Sequence, residues 1–301
     1  MAVDGDLKSR LPYPFNEDLS PVLLRLNRRT ERGRRQLAND PVTAAYLAAA
    51  LRLVEQRIGP RTAPADAAHP AAAERSFLGF LTQRAVAAEV DRNPDPLPRR
   101  GSVSTLRTSW RTQSDFIADL LGFVLWTGYY PASYTGLWDG GAQLLAEGAD
   151  FAAAIEEVAY HATDHLLAMV TFRIQLAASI GAQDDPAVRA VLAAKYERGQ
   201  TIWGGIYTRM MAARGLQLRE GISLGELADI LTALVEGCAL RAMAEGPETR
   251  VMDPPSKRGL LSTAALALVA GCMEPKGKED GRSLAALVNA MAADGGEAGP
   301  G

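Results

Sequence analysis

Apolar positions recur at helical spacing along most of the chain. Val42, Ala45, Tyr46, Ala49 and Leu53 fall at i, i+3, i+4, i+7 and i+11. That spacing predicts a helix from Asp40-Pro41 to about Ile58, closed by Gly59-Pro60. Within Phe77 to Asn93 a helix starts at Thr82, and a proline-broken loop follows from Asn93 to Pro98. A short helix is predicted from Ser102 to Ser109, and Thr112-x-x-Asp115 is a capping signature for the apolar run Phe116 to Trp126. Further helices are predicted over Asp150 to Ile180, Pro186 to Arg214, Leu224 to Glu245 and Ser256 to Cys272; glycines 181, 215 and 246 end the first three. Period-two runs of Val, Ile, Thr and aromatics are almost absent, so the fold class is all-α.

Proline and arginine change the picture at the front of the chain. Residues 1–40 are an Arg-rich extension. Its first 20 residues read as an irregular arm, and 21–38 read as a helix with Ser20 before it and Pro21 in its first position. The segment Arg61 to Ala73 reads as a flexible insertion. The tail from 274 to 301, rich in glycine and charge, reads as mostly disordered apart from a short helix at Ser283 to Ala293.

Composition and charge narrow the class. The 301 residues are 48% hydrophobic, enough for a sizeable core. The longest membrane candidate, Gly259 to Met273, is interrupted by Ser262 and Thr263, no signal peptide is visible, and Cys238 and Cys272 are too few for a disulfide framework. The expectation is a soluble, reduced, cytoplasmic protein with no membrane partner. The net charge of −3 hides an asymmetry: 18 basic against 14 acidic side chains in residues 1–120, and 14 against 21 in 121–301. Arg25, Arg28, Arg29, Arg32, Arg34 and Arg35 stand against Glu31 alone. A basic front half suits a polyanion, and equally suits a solvated helix face.

The short helix Ser102-Val-Ser-Thr-Leu-Arg-Thr-Ser109 offers only Val103 and Leu106 for packing. Its hydroxyls and Arg107 suit base edges and phosphates in a DNA major groove. Arg99, Arg100 and Gly101 place cationic groups and backbone N–H donors just before it. Here the text resembles the tetracycline-repressor (TetR) family of regulators. Tyr46 to Glu55 resembles that family's first helix, Leu81-Thr82 with Val86 to Glu89 its second, and Ser104 to Trp110 with Gln113 to Leu121 its recognition helix and fourth helix. Leu227 to Ala244 resembles the penultimate helix. The resemblance implies a helix-turn-helix DNA-binding domain (41–127) followed by a helical effector and dimerisation domain (128–273), in a homodimeric transcription factor that binds operator DNA, usually as a repressor. By position, Ser102, Ser104, Thr105, Arg107 and Thr108 face the groove, with Arg99 and Arg100 before them, and Thr82, Gln83 and Gln113 lie near phosphate-touching helix starts.

The chain departs from the family in three places. A Pro-rich loop replaces the tight turn before the recognition helix, Arg107 and Gln113 stand for the usual tyrosine and lysine, and the loop between the first two helices carries an insertion. These departures leave a second reading: a regulator-like helical dimer that has lost sequence-specific DNA binding and serves as a protein- or ligand-binding module.

Past residue 128, Phe151, Ile155, Val158, Ala162, His165, Met169, Phe172 and Leu176 form a stripe that is apolar except for His165. Glu157, His161 and His165 share metal-ligand spacing, but no second cluster completes a site, so no metal or cofactor is expected. His161, His165 and Met169, with Trp203 and Tyr207 opposite, either line a cavity for a small hydrophobic effector or are packed as core. Leu227, Ile230, Leu231, Leu234 and Cys238 form one stripe, and Leu260, Ala264, Leu268 and Cys272 another. Two such helices from each of two subunits make a four-helix dimer interface; the other reading is completion of the monomer core. No H-E-x-x-H, G-x-S-x-G, P-loop or dinucleotide fingerprint is present, which argues against an enzyme.

Overall fold

The computed structural model describes residues 8–58, 79–126, 132–182, 185–246 and 251–296, and these are mostly helical. They fall into two compact units, one from the described residues of 1–135 and 169–196, the other from those of 136–168 and 197–301. No described helix is long and apolar enough to cross a membrane.

The first unit holds α1 (Glu31–Ala38), α2 (Pro41–Ile58), α3 (Gln83–Glu89) with a 3-10 turn at Val90–Arg92, α4 (Val103–Ser109) and α5 (Gln113–Val124). It also holds α8 (Val170–Gly181) and the start of α9 (Pro186–Arg214), whose Ile174, Ala178, Val188 and Leu192 enter the same apolar cluster. The division therefore does not fall at 127/128, because the stretch after Ala168 buries its apolar face against α2 and α5. Trp110, Tyr46, Phe116 and Phe123 are fully buried at the centre. Local chemistry sets the boundaries. The Asp40 carboxylate accepts from the N–H of Val42 (2.8 Å) ahead of Pro41, and Thr112 and Asp115 complete the reciprocal capping box that opens α5.

The N-terminal segment corrects two expectations. It is irregular, as expected, but no loose arm: Leu11, Phe15, Leu19, Leu23 and Leu26 are buried, and Phe15 stacks on Phe123 with ring centroids 5.4 Å apart. No helix starts at Ser20. Leu24 and Arg25 direct their N–H groups to Asp119 and Asn27 directs its own to Ser109, so α1 begins only at Glu31, where Thr30 accepts from the N–H of Gly33. The expected insertion at 61–73 lies outside the described residues.

The second unit contains α6 (Ala132–Glu147) from residue 136, α7 (Phe151–Ala168), the rest of α9, α10 (Leu224–Glu245), α11 (Leu260–Cys272) and α12 (Leu284–Gly296). Gly215 (φ 63°) and Gly246 (φ 83°) end α9 and α10 in the left-handed region that favours glycine. The single helix expected over 150–180 is instead two, because Met169 is extended (φ −81°, ψ 121°) ahead of the β-branched pair Val170-Thr171. The last long helix starts at Leu260 rather than Ser256. Pro254 and Pro255 turn the chain between β2 (Met252–Asp253) and β3 (Arg258–Gly259), which pair antiparallel. The described part of the tail, residues 274–296, has regular structure at both ends. β4 (Met273–Pro275) pairs antiparallel with β1 (Leu216–Leu218), and buried Glu274 accepts from Arg219 (3.0 Å), which also reaches Asp280 (2.8 Å).

Candidate functional site

Three anchors hold α4 on the first unit and turn its polar face outward. Ser102 caps it, its hydroxyl accepting from the N–H of Thr105 (3.0 Å). Tyr46 of α2 grips the same residue twice: its phenol accepts from the Ser102 N–H (3.0 Å) and donates to the Ser102 carbonyl (2.9 Å). Leu106 is fully buried and Val103 partly so, while Ser102, Ser104, Thr105, Arg107 and Thr108 are exposed. At the far end Trp110 is buried edge-on against Phe116 (5.0 Å) and donates its indole N–H to Asp119 (2.8 Å).

Gly101 lets this helix sit close. A Cβ there would lie 2.9–3.0 Å from three carbons of the Val90 side chain. Gly101→Ala is expected to cost about 1–3 kcal/mol through overpacking, read as a lower denaturation midpoint. A Val90→Ala partner change should restore part of it.

Beside α4 lies an open groove of about 550 Å³, lined by Thr82, Gln83, Arg84, Val103, Arg107, Arg111, Thr112 and Gln113. Arg107 donates to the Gln83 side chain (2.9 Å), and Gln113 donates to the Leu81 carbonyl. The groove thus joins the start of α3, the side of α4 and the start of α5 around three guanidinium groups. Sequence reasoning alone misses Arg84 and Arg111; the signal for both is an arginine one or two residues from a helix start that itself carries a candidate contact. The remaining predicted residues divide. Arg100 is exposed, whereas Arg99 is committed to the loop, donating to the Asn93 carbonyl (2.7 Å) and pairing with Asp95 (3.2 Å).

A buried polar network supports the α3–α4 connection. Glu89 is 1% exposed and takes both Arg52 (3.1 Å) and Arg92 (2.6 Å). Arg52 also donates to Asn93, whose amide reaches the carbonyls of Ala45 (3.2 Å) and Pro98 (2.7 Å). The Pro-rich loop is therefore held to α2.

The second unit holds a partly open apolar cavity of about 80 Å³. Trp203 and Tyr207 line it, with Val158 and Ala162 of α7, Leu231 of α10 and Ala265 of α11 among the other walls. Burial pushes the Tyr207 phenol well above its ordinary value, so it stays neutral at any working pH. The histidines do not line this cavity. His161 is exposed beside Glu157, and His165 is half-buried, its ring 6.0 Å from that of Trp138, its pKa lowered by burial. Met169 belongs to the other unit. Glu157, His161 and His165 form no metal-holding group among the described residues.

The predicted dimer stripes also divide. Leu227 and Cys238 are buried in the unit's own core and Leu231 lines the cavity, so part of that stripe completes the monomer. Leu234, Ala264 and Leu268 are half-buried, while Ile230 and Leu260 are 41% and 45% exposed. A neighbouring stripe on α10, Ile230, Ala233, Gly237, Leu240 and Ala244, is exposed at alternating spacings of three and four. Leu260, Thr263, Ala267 and Ala270 repeat the spacing on α11. No family model, curated protein or solved structure matches the chain.

Proposed function

We propose that the chain is a cytoplasmic transcriptional regulator of the TetR-like kind, a homodimer that binds operator DNA through α4 and responds to a small hydrophobic effector. The observation that carries this reading is the exposure of Ser102, Ser104, Thr105, Arg107 and Thr108 on a helix anchored by fully buried Leu106, beside a groove containing Arg84, Arg107 and Arg111. Hydroxyls and guanidinium groups on a projecting helix are the chemistry of base-edge and phosphate contact. Support for the dimer comes from the paired exposed stripes on α10 and α11. Their small residues allow the close helix approach of a four-helix bundle. Support for an effector comes from the apolar cavity with a neutral phenol in its wall.

The test is selection of bound fragments from a random duplex pool with purified protein. The expected result is an enriched, pseudo-palindromic sequence with half-sites about one helical turn apart. Arg107→Ala is expected to lower affinity for it by about 1–3 kcal/mol and to relax preference at the contacted position. A stable dimer that enriches no sequence overturns the reading in favour of a module without DNA readout.

A further inference from the structure

Six arginines crowd residues 25–35 against a single glutamate, and the structure fixes where they stand. The N–H of Asn27 donates to the Ser109 carbonyl (2.8 Å), and Arg28 reaches the Thr108 carbonyl with its guanidinium (3.1 Å). Those are the last carbonyls of α4, so the basic segment is fastened to the end of the helix assigned above to DNA. Upstream, the N–H groups of Leu24 and Arg25 bond Asp119, and Leu23 and Leu26 are buried. Downstream, Thr30 caps α1 and buried Ala38 closes it against the core.

Some of these arginines have structural work. Arg28 holds carbonyls, and Arg35 pairs with Asp18 at 3.3 Å. The exposed guanidinium groups of Arg29, Arg32 and Arg34 make no hydrogen bond or ion pair to any described residue. Arg29 and Arg32 stand three residues apart, a spacing at which like charges repel, and Glu31 is the single acidic side chain among residues 25–35. Their backbone is already ordered, so only side-chain entropy remains to be lost when an anion arrives. Arginine's fork matches phosphate oxygens in pairs.

We propose that Arg29, Arg32 and Arg34 are a second, sequence-independent DNA contact that grips phosphates flanking the duplex entered by α4. This rests on the reading of α4 as a DNA-binding helix and assigns a role to the extension that the helix itself does not require.

The experiment measures binding to a random-sequence duplex across a salt series, for the full-length wild type and for the triple variant Arg29→Ala, Arg32→Ala, Arg34→Ala. The plot of log affinity against log salt should become shallower by about 0.9 for each phosphate no longer neutralised, hence by up to about 3. Affinity at moderate salt should fall on the order of 10- to 100-fold, alike for random duplex and for any fragment enriched by selection. A triple lysine variant should keep most of the slope. The melting temperature should hold or rise slightly, since these guanidinium groups make no hydrogen bond or ion pair to any described residue and their mutual repulsion is relieved. An unchanged slope in a wild type that does enrich a sequence overturns the arm contact and leaves the function of α4 standing. A wild type that binds neither random nor selected duplex overturns both. An unchanged DNA slope together with lost binding to polyglutamate marks a protein-docking face and also overturns the proposal.

Discussion

Glu89→Ala is expected to destabilise the first unit by about 3–5 kcal/mol, because it strands a guanidinium that the fold has largely removed from water. The Arg52 side chain is 24% exposed, and its Nε donates to Glu89 at 3.1 Å. The other arm of the fork bonds the Glu89 carbonyl (3.0 Å) and the Asn93 side chain (2.7 Å), so it cannot swing out to solvent without breaking the loop. Removing the carboxylate leaves a positive charge with its desolvation cost and without its compensation. Glu89→Gln keeps an oxygen for Arg52 but turns an amide N–H₂ toward a donor, for a loss of about 1–3 kcal/mol. Urea denaturation checks the order wild type, Gln, Ala. A double-mutant cycle with Arg52→Met should show coupling of roughly 1–3 kcal/mol. A loss below about 1 kcal/mol in the alanine variant, near the median for an exposed pair, would mean that this pair behaves as a surface one. The loop tied down by Asn93 precedes α4, so the same variant should weaken duplex binding even below its melting transition.

What is legible in the sequence follows from how local the cause is. α2 opens at Pro41 and α5 at Gln113, behind caps whose residues are adjacent in the chain. α9 and α10 end at glycines that take positive φ, again a local demand. The outward polar face of α4 is legible because only Val103 and Leu106 could pack. The wrapping of residues 11–26 is not. Leu11, Phe15, Leu19, Leu23 and Leu26 keep a spacing of three to four, but Pro12, Pro14 and Pro21 conceal it, and their partners on α5 lie about a hundred positions away. One signal points to it: Asp119 is a lone carboxylate inside the apolar run from Phe116 to Trp126, where a charge needs donors from elsewhere. The break at Met169 carries no glycine or proline, so periodicity runs straight through it. Glu274 is held by Arg219, 55 residues earlier, a pairing no local rule exposes. His165 shares a stripe with cavity-lining residues, but one helix face spans more than one environment; Val158 and Ala162 meet the cavity while His165, half-buried, does not.

Asp119 gives the second large effect and a pH dependence of definite sign. Its carboxylate is 2% exposed and accepts from the N–H groups of Leu24 (2.8 Å) and Arg25 (2.9 Å) and from the Trp110 indole (2.8 Å). Burial raises the carboxyl to about 6, against these three donors and the Arg25 charge, which pull it down. The unfolded chain takes up this proton only near pH 3.8, so between the two values the folded state binds more protons than the unfolded one. The group's contribution is fully present below pH 3.8 and is lost as pH rises through about 6. Its full span is about 3 kcal/mol. Asp18, held down to about 2 chiefly by hydrogen bonds from Asn39 and Ser20 that outweigh its own desolvation, acts in the opposite sense. The informative quantity is therefore the wild-type curve minus that of Asp119→Asn, which should fall with rising pH between about 4 and 6. Parallel curves for the two proteins would remove Asp119 as the titrating group. Asp119→Ala deletes the acceptor altogether and leaves the buried Trp110 indole N–H and the part-buried N–H groups of Leu24 and Arg25 without it, each worth up to about 1–3 kcal/mol, for a net loss of roughly 3–5 kcal/mol. Two of those donors belong to the N-terminal segment and the third to Trp110 at the end of α4, so the loss should have a location. Trypsin should cut first at Arg25, Arg28 and Arg29 in this variant while the wild type resists, because release of residues 24–27 frees the backbone that Asp119 and the Ser109 carbonyl hold.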